Sequence, residues 1–392
     1  MIKSLIAFNL TELKKKKILS EAKNLYASNV LSEEQWQKIK ETYSSKLYSP
    51  SIFIRILFFI LTIIGLSTIS APIALIINSL DIHRFQLIFL VTGVAIMIIT
   101  ELILIKANGH YLSGITEAGI YIGLTFIYFG VLNFDNNTII LYLVVGFLLT
   151  LFAAIRYLNM LALVATIIFF GWILFQLLYD LGGIFESLIP FSFMISFGLV
   201  YFSSVKLEKK LSNFIFNDQF IIIQTLSLLT IYIAGNYFVV RELSIELMGL
   251  NLSEGENIPF AFLFYGFTVL IPLGYIFWGI KNKSLLFLRT SLLTIILSVI
   301  TFKYYFSLGQ PVVTVTIAGF ILITISLLIF NYLKKNRNGF TREKLLDDKW
   351  GSKNLTGIIA SQTLGGNQIG EPEDPTIFKE GHFGGGGAGS SW

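Results

Sequence analysis

Long apolar runs separated by short polar breaks dominate the chain between residues 52 and 333. Each run has about 20 residues, the length that an α-helix needs to cross the hydrocarbon core of a bilayer. The fourth and fifth runs are separated by little more than "RYLN" at 156–159, so a fused or re-entrant pair would change the count. The pattern predicts about ten spans, at 52–78, 84–105, 111–132, 137–155, 158–179, 184–205, 219–240, 258–280, 285–306 and 311–333.

The composition supports a membrane protein. Hydrophobic residues make up 54% of the 392 positions and charged residues 14%, which differs strongly from the usage of soluble domains. From residue 351 onward, Gly, Ser, Asn, Pro and acidic residues replace the apolar ones, a composition typical of disorder. We therefore predict an all-α polytopic transmembrane helix bundle at 51–333, with a small cytoplasmic helical unit at 1–50, a basic juxtamembrane segment at 334–350 and a flexible tail at 351–392.

The N-terminal unit carries the signal of a capped helix in "LSEEQWQKIKETY". Ser32 and Gln35 have the spacing of a capping box, and two acidic residues follow Ser32 in the first turn, where the helix dipole favours them. The pattern predicts a helix over about 33–46, which ends before Pro50. Two interpretations remain: a helix that binds the membrane surface or a partner, and a solvated hairpin that shields the cytoplasmic face of the bundle.

The same segment carries a resemblance. "LSEEQWQKIKETY", the short join "SKLYSP" and the run of spans that follows are similar to the bacterial membrane proteins grouped as domain of unknown function 2157. The resemblance covers the layout of the chain and this one short segment. It implies an uncharacterised multi-span protein with no assigned activity and no functional residues to transfer.

The distribution of Lys and Arg predicts the orientation. With the N-terminus inside, the short cytoplasmic loops carry seven basic residues and the opposite loops carry three, in agreement with the positive-inside rule. "LKKKK" at 13–17 and "KKNRNGFTREK" at 334–344 then lie on the same side. No cleavable signal precedes the first span, because "LIAF" is short and is followed by lysines. We expect a multi-pass protein of the bacterial cytoplasmic (inner) membrane, with both termini in the cytoplasm.

The sequence contains no recognisable catalytic or cofactor motif. The chain has no cysteine, and its three histidines are too scattered along the sequence for a zinc site. It also lacks a nucleophile elbow and a phosphate-binding glycine loop. We therefore expect no enzymatic activity, no metal and no cofactor. Nucleic acid is not an expected partner, because the basic residues follow the membrane surface.

Ionisable residues inside the spans are the candidate functional positions, because each needs water, a proton or a partner there. Glu101 and Glu117 flank the cytoplasmic loop "KANGHY" on the second and third spans, at similar predicted depth. Arg55 and Arg289 are the cations proposed to pair with them. Two carboxylates sharing one site would form a proton or cation site, whereas separate ion pairs or neutral hydrogen-bonded acids would fix packing.

The third span also contains closely spaced glycines. Gly119 and Gly123 have the spacing that lets two membrane helices approach closely, and Gly114 and Gly130 lie on either side of them. The pattern predicts that Glu117 lies on a helix packed inside the bundle.

The C-terminal region offers two candidate contacts. Lys334, Lys335 and Arg337 follow the last span and predict a contact with anionic lipid. The chain then ends in "FGGGGAGSSW", where Phe383 and Trp392 are candidate recognition residues for a cytoplasmic protein partner, if this segment is not inert.

Two functions follow from these features. The first is a non-catalytic membrane component that recruits partners through the N-terminal unit and the tail. The alternative is a secondary transporter or ion-coupled permease that uses Glu101 and Glu117.

Overall fold

The computed structural model describes residues 5–27, 30–77, 82–132, 139–211, 214–247 and 256–305, with Gly249 and isolated helical positions between 319 and 331; the side chains of 69–77 and 82–85 are not described. Twelve α-helices account for most of these residues, and no strand occurs among them beyond a single bridge between Tyr48 and His110. The predicted all-α class is confirmed. The tenth predicted span, the basic segment at 334–350 and the tail fall largely or wholly outside the described residues.

The helices are short in the N-terminal unit and long in the bundle. They are α1 Leu10–Ala27, α2 Glu33–Thr42, α3 Ile52–Ile77, α4 Ile82–Ile99, α5 Ile115–Val131, α6 Ile139–Arg156, α7 Met160–Leu181, α8 Ile184–Leu211, α9 Asn217–Gly235, α10 Tyr237–Glu246, α11 Ala261–Lys281 and α12 Leu285–Tyr305. A π-helix, Thr100–Ala107, continues α4, and a 3₁₀ turn, Phe214–Phe216, precedes α9.

Seven of the described helices are long and apolar enough to cross a membrane. They are α4 with its π-helical extension, α6, α7, α8, α9, α11 and α12. Two shorter apolar helical stretches, Ile52–Thr68 in α3 and Ile115–Val131 in α5, occupy predicted spans as well. The chain is therefore a polytopic helix bundle, as the apolar pattern predicts. The fourth and fifth predicted spans are two separate helices, with Tyr157–Asn159 between them.

The seventh predicted span, 219–240, differs from the structure. Helix α9 ends at Gly235, and α10 begins at Tyr237. Asn236 has an extended backbone, with φ −81° and ψ 123°, and its side-chain oxygen accepts a hydrogen bond from the Val239 N–H at 3.2 Å, as an N-cap does. The predicted span is present as α9 but ends five residues before position 240, because hydropathy does not detect a break that neighbouring helices stabilise.

The N-terminal unit starts with the predicted cap. The Gln35 N–H donates to Ser32 Oγ at 3.2 Å, and the Ser32 N–H donates to Gln35 Oε1 at 2.9 Å. Helix α2 ends at Thr42, earlier than the predicted 46. Trp36 is its buried residue and stacks on Tyr26 of α1, with ring centroids 5.9 Å apart. The two helices therefore form a hairpin.

This hairpin is attached to one end of the bundle through a shared hydrophobic core. Residues of the first segment and of α1 are buried against the π-helix, the α6–α7 connection and the turn before α9. The core includes Ile6, Ala7, Phe8, Leu13, Ile105, Ala153, Ala154, Tyr157, Leu158, Ala162, Leu163 and Ile215. The first segment covers this end of the bundle, so the N-terminal unit is part of the packed structure. This arrangement agrees with the interpretation of a shielding hairpin.

Candidate functional site

Glu117 lies in the first turn of α5, at a close contact with α3. Gly114, which precedes the helix, has φ +89°, a conformation that favours glycine. A Cβ atom at this position would collide with the Arg55 carbonyl oxygen of α3. The backbones of the two elements can therefore approach closely enough to bring Arg55 to Glu117.

Glu117 is 5% exposed, and both of its oxygens have contacts. Oε2 accepts hydrogen bonds from the Gly114 N–H at 2.8 Å and from Thr116 Oγ1 at 2.9 Å. Oε1 lies 2.5 Å from Arg55 Nη2, at an angle that makes an ion pair rather than a regular hydrogen bond. The Arg55 side chain retains 36% exposure. The carboxylate is thus charge-compensated and also caps the amino end of α5.

Glu101 lies on the π-helix that extends α4. π-Helical turns are rare and are frequently found at functional sites. Arg156, the last residue of α6, binds the carboxylate with two hydrogen bonds, Nη2 to Oε1 at 2.5 Å and Nε to Oε2 at 3.0 Å. Lys106 Nζ lies 2.7 Å from Oε1, and the Tyr157 hydroxyl donates to Oε2 at 3.2 Å. Glu101 is therefore bound by two cations and a phenol.

The two carboxylates belong to different ion pairs. Among the described contacts Glu117 has Arg55 as its cation, whereas Glu101 has Arg156 and Lys106. Arg289, the other proposed partner, is exposed on α12. Sequence reasoning thus identified one of the three cations. Arg156 and Lys106 were not predicted as partners, although the segment "RYLN", which begins at Arg156, places a basic residue at the end of α6.

Arg156 also connects Glu101 to the first segment of the chain. Its Nη1 donates to the Leu5 carbonyl at 3.3 Å, and its own carbonyl accepts from the Ala7 N–H at 2.9 Å. Burial and the negative charge of Glu101 raise the pKa of Tyr157, so its hydroxyl stays protonated as a donor. The Glu101–Arg156 ion pair and the first segment, which covers this end of the bundle, are therefore directly connected.

Two lysines of "LKKKK" take part in the attachment of α1. Lys17 Nζ lies 3.3 Å from Asp218 Oδ2 at the start of α9 and donates to the Ile215 carbonyl at 3.1 Å. Lys16 donates to the Leu47 carbonyl at 3.4 Å and lies 5.5 Å from the centre of the Tyr111 ring. Burial lowers the pKa of Lys16 to about 8.

A second polar cluster, which sequence reasoning missed, surrounds the α9–α10 break. Asn236 is 1% exposed, and its Nδ2 donates to the Tyr232 hydroxyl at 2.8 Å and to Thr301 Oγ1 at 2.9 Å. The Tyr237 N–H donates to Thr268 Oγ1 at 3.0 Å, and the Tyr232 hydroxyl is 2.7 Å from Ser298 Oγ. The signal in the sequence is Gly235 followed by Asn236, a frequent pair of helix end and helix start residues.

Phe383 and Trp392 lie outside the described residues, as do Lys334, Lys335 and Arg337. In the described part of the chain, no group of three or more His, Asp or Glu side chains is arranged to hold a metal ion.

Comparison with known proteins adds no relative. No family model matches the chain, and neither the curated proteins nor the solved structures gave a match.

Proposed function

We propose that the chain is a non-catalytic component of the bacterial cytoplasmic membrane that recruits a cytoplasmic protein through its N-terminal unit and its C-terminal tail. The observation that supports this function is the contrast between α1 and α2. Helix α1 contributes Leu13 to the core shared with the bundle, whereas α2 buries Trp36 and leaves most of its charged residues exposed. Helix α2 is thus a charged surface attached to the end of a membrane-embedded bundle.

The ion pairs of the two intramembrane glutamates support the same proposal. Each carboxylate is matched by arginine and by further hydrogen bonds, so neither needs a transported ion to balance its charge. In this proposal both termini are cytoplasmic, Lys334, Lys335 and Arg337 contact anionic lipid, and Phe383 and Trp392 bind the partner. The proposal also includes membership of the domain of unknown function 2157 group, which the sequence resembles.

The test is quantitative co-purification of the full chain from its native membrane after crosslinking. One variant reverses charges on the exposed face of α2, with Glu34→Lys and Lys38→Glu, and another lacks residues 383–392. The matched control, Lys209→Glu with Lys210→Glu, changes two exposed lysines at the end of α8. We expect the same protein to be lost from both test variants and retained by the control. Identical partners in all four samples would refute recruitment by these segments.

The alternative function, an ion-coupled transporter using Glu101 and Glu117, has one observation in its favour. Arg156 binds Glu101 and the first segment at once, so protonation of Glu101 would weaken the ion pair beside the covered end of the bundle. Proteoliposomes containing a pH-sensitive dye would report proton entry. A flux present in the natural protein and abolished by Glu101→Gln would favour the transporter, and equal dye traces for protein and empty liposomes would exclude it.

A further inference from the structure

A cavity lies between α10, α11 and α12, next to the α9–α10 break. Its volume is about 200 Å³, and four of its six lining residues are aromatic. The lining consists of Tyr237, Tyr265, Thr268, Thr301, Phe302 and Tyr305. Neither the recruiting function nor the glutamate ion pairs involve this space.

The threonine hydroxyls that line the cavity are already hydrogen-bonded within the protein. Thr268 Oγ1 donates to the Phe264 carbonyl at 2.7 Å and accepts from the Tyr237 N–H. Thr301 Oγ1 exchanges hydrogen bonds with the side chain of Asn236, at 2.9 and 3.0 Å. These hydroxyls are therefore occupied, and the threonines contribute their methyl groups to the cavity.

The tyrosine hydroxyls are occupied as well. Tyr237 donates to Asn257 Oδ1 at 2.8 Å, and the Tyr265 hydroxyl lies 3.3 Å from the same oxygen. Tyr305 donates to Glu242 Oε1 at 3.0 Å. Because these hydroxyl protons are already used, a guest that needs hydrogen-bond donors would lose its hydration without gaining them in return. The cavity, which is open on the side of the exposed Tyr265 and Phe302, consequently favours an apolar guest, because its walls are mainly aromatic carbon.

The arrangement of the rings narrows the class of guest. Tyr237 stacks on Tyr265 with centroids 4.2 Å apart and meets Tyr305 edge-on at 5.0 Å. A planar aromatic guest can add further stacked or edge-on contacts to such a set. The Arg241 guanidinium already lies over the Tyr305 ring, at 5.4 Å from its centre, and its positive charge disfavours a cationic guest.

We propose that this cavity is a binding site for an uncharged, single-ring aromatic molecule. A cavity of roughly 150 Å³ is large enough to hold benzene, so about 200 Å³ accommodates one substituted ring. We expect an aromatic guest to bind roughly 2- to 12-fold more tightly than an alkane of similar size, the ratio that one additional aromatic pair provides. The proposal is independent of partner recruitment.

The experiment uses the full chain in lipid nanodiscs and a photoreactive phenyl diazirine as the probe. Mass spectrometry of the labelled peptides measures the label in α10–α12, with toluene and hexane as competitors. We expect saturable labelling at the cavity residues that toluene reduces at lower concentrations than hexane does. Labelling that does not saturate, or that both competitors reduce equally, would overturn the proposal.

Two variants fill the cavity, Thr301→Phe and Tyr265→Trp, and each is expected to reduce the competable label at least threefold. Phe262→Trp is the matched control, because Phe262 is 72% exposed on α11 and does not line the cavity. Unchanged labelling in a folded filling variant would contradict the site. If both filling variants fail to fold, the competition by toluene and hexane in the natural protein decides the question.

Discussion

At the scale of single residues, the surroundings of Glu117 explain how a carboxylate is retained at the start of a membrane helix. Two donors, the Gly114 N–H and the Thr116 hydroxyl, reach Oε2, and the Arg55 guanidinium forms an ion pair with Oε1. Removing one partner leaves the other groups buried without a hydrogen bond or a counter-charge. This loss costs more stability than the intact interaction contributes. The charge on Glu117 therefore contributes to the packing of α3 against α5.

Glu117→Gln is predicted to lower the stability of the bundle by about 1–3 kcal/mol, because the neutral amide no longer balances Arg55. The apparent melting temperature of the purified protein in detergent measures the change. Glu34→Gln serves as the control, since Glu34 is an exposed acid in α2. Equal melting temperatures for the two variants would show that the ion pair is not stabilising.

Lys16 gives a prediction about pH. Its pKa falls from 10.5 to about 8 in the folded protein, so between these values the unfolded chain binds more protons and stability rises with pH. Below pH 8 Lys16 is charged in the folded protein, so the full cost of burying that charge lowers the stability. We expect Lys16→Met to raise the melting temperature near neutral pH and this gain to shrink from pH 8 towards 10.5. The exposed Lys14→Met is the control, and a gain that does not change with pH would contradict the assignment.

At the scale of elements, α4 and α5 approach closely because glycines face each other. A Cβ atom at Gly93 would lie 2.7 Å from the Ile127 nitrogen and 2.8 Å from the Gly123 oxygen, both backbone atoms that cannot move independently. One at Gly123 would lie 2.8 Å from Met97 Cγ. The glycine pattern that the sequence shows in α5 is thus a packing pattern, and its partners lie on α4.

Gly93→Ala is predicted to destabilise the protein by about 1–3 kcal/mol, because the added methyl group forces the two helices apart. Gly65→Ala in α3 is the matched comparison, since no atom lies within 4 Å of its added Cβ. At this position alanine should be neutral or slightly stabilising. Thermal unfolding of the two variants side by side measures the difference, and equal effects would contradict the close contact.

At the scale of the whole molecule, the main open prediction is the topology of the chain in the membrane. The distribution of Lys and Arg predicts the orientation. Lys38 in α2 and Lys209 at the end of α8 are expected on the cytoplasmic side, and Asp180 on the opposite side of the membrane. Because the chain has no cysteine, single cysteines can be introduced without removing natural ones.

In intact cells we expect a membrane-impermeant maleimide to label Asp180→Cys and to leave Lys38→Cys and Lys209→Cys unlabelled. Inverted membrane vesicles should give the opposite result. Labelling of Lys38→Cys in intact cells would reverse the proposed orientation and would exclude a cytoplasmic partner for α2.

The sequence alone determined those features that depend on local composition or spacing. The length of the apolar runs established a polytopic helix bundle, since a helix in lipid must satisfy its own backbone and needs about 20 residues to cross. The capping box at Ser32 could likewise be predicted from the sequence, because its two hydrogen bonds join residues three positions apart. The glycine spacing on α5 indicated a packed face without identifying the helix that contacts it.

The tertiary structure decided which distant residues meet. Arg156 reaches Glu101 across 55 positions, and Thr301 reaches Asn236 across 65, distances along the chain at which hydropathy carries no information. The break at Asn236 is stable because residues of α11 and α12 supply its hydrogen bonds, and the N-terminal unit is part of the bundle because its apolar residues are buried there. Such interactions depend on the packing of several helices, which no single segment encodes.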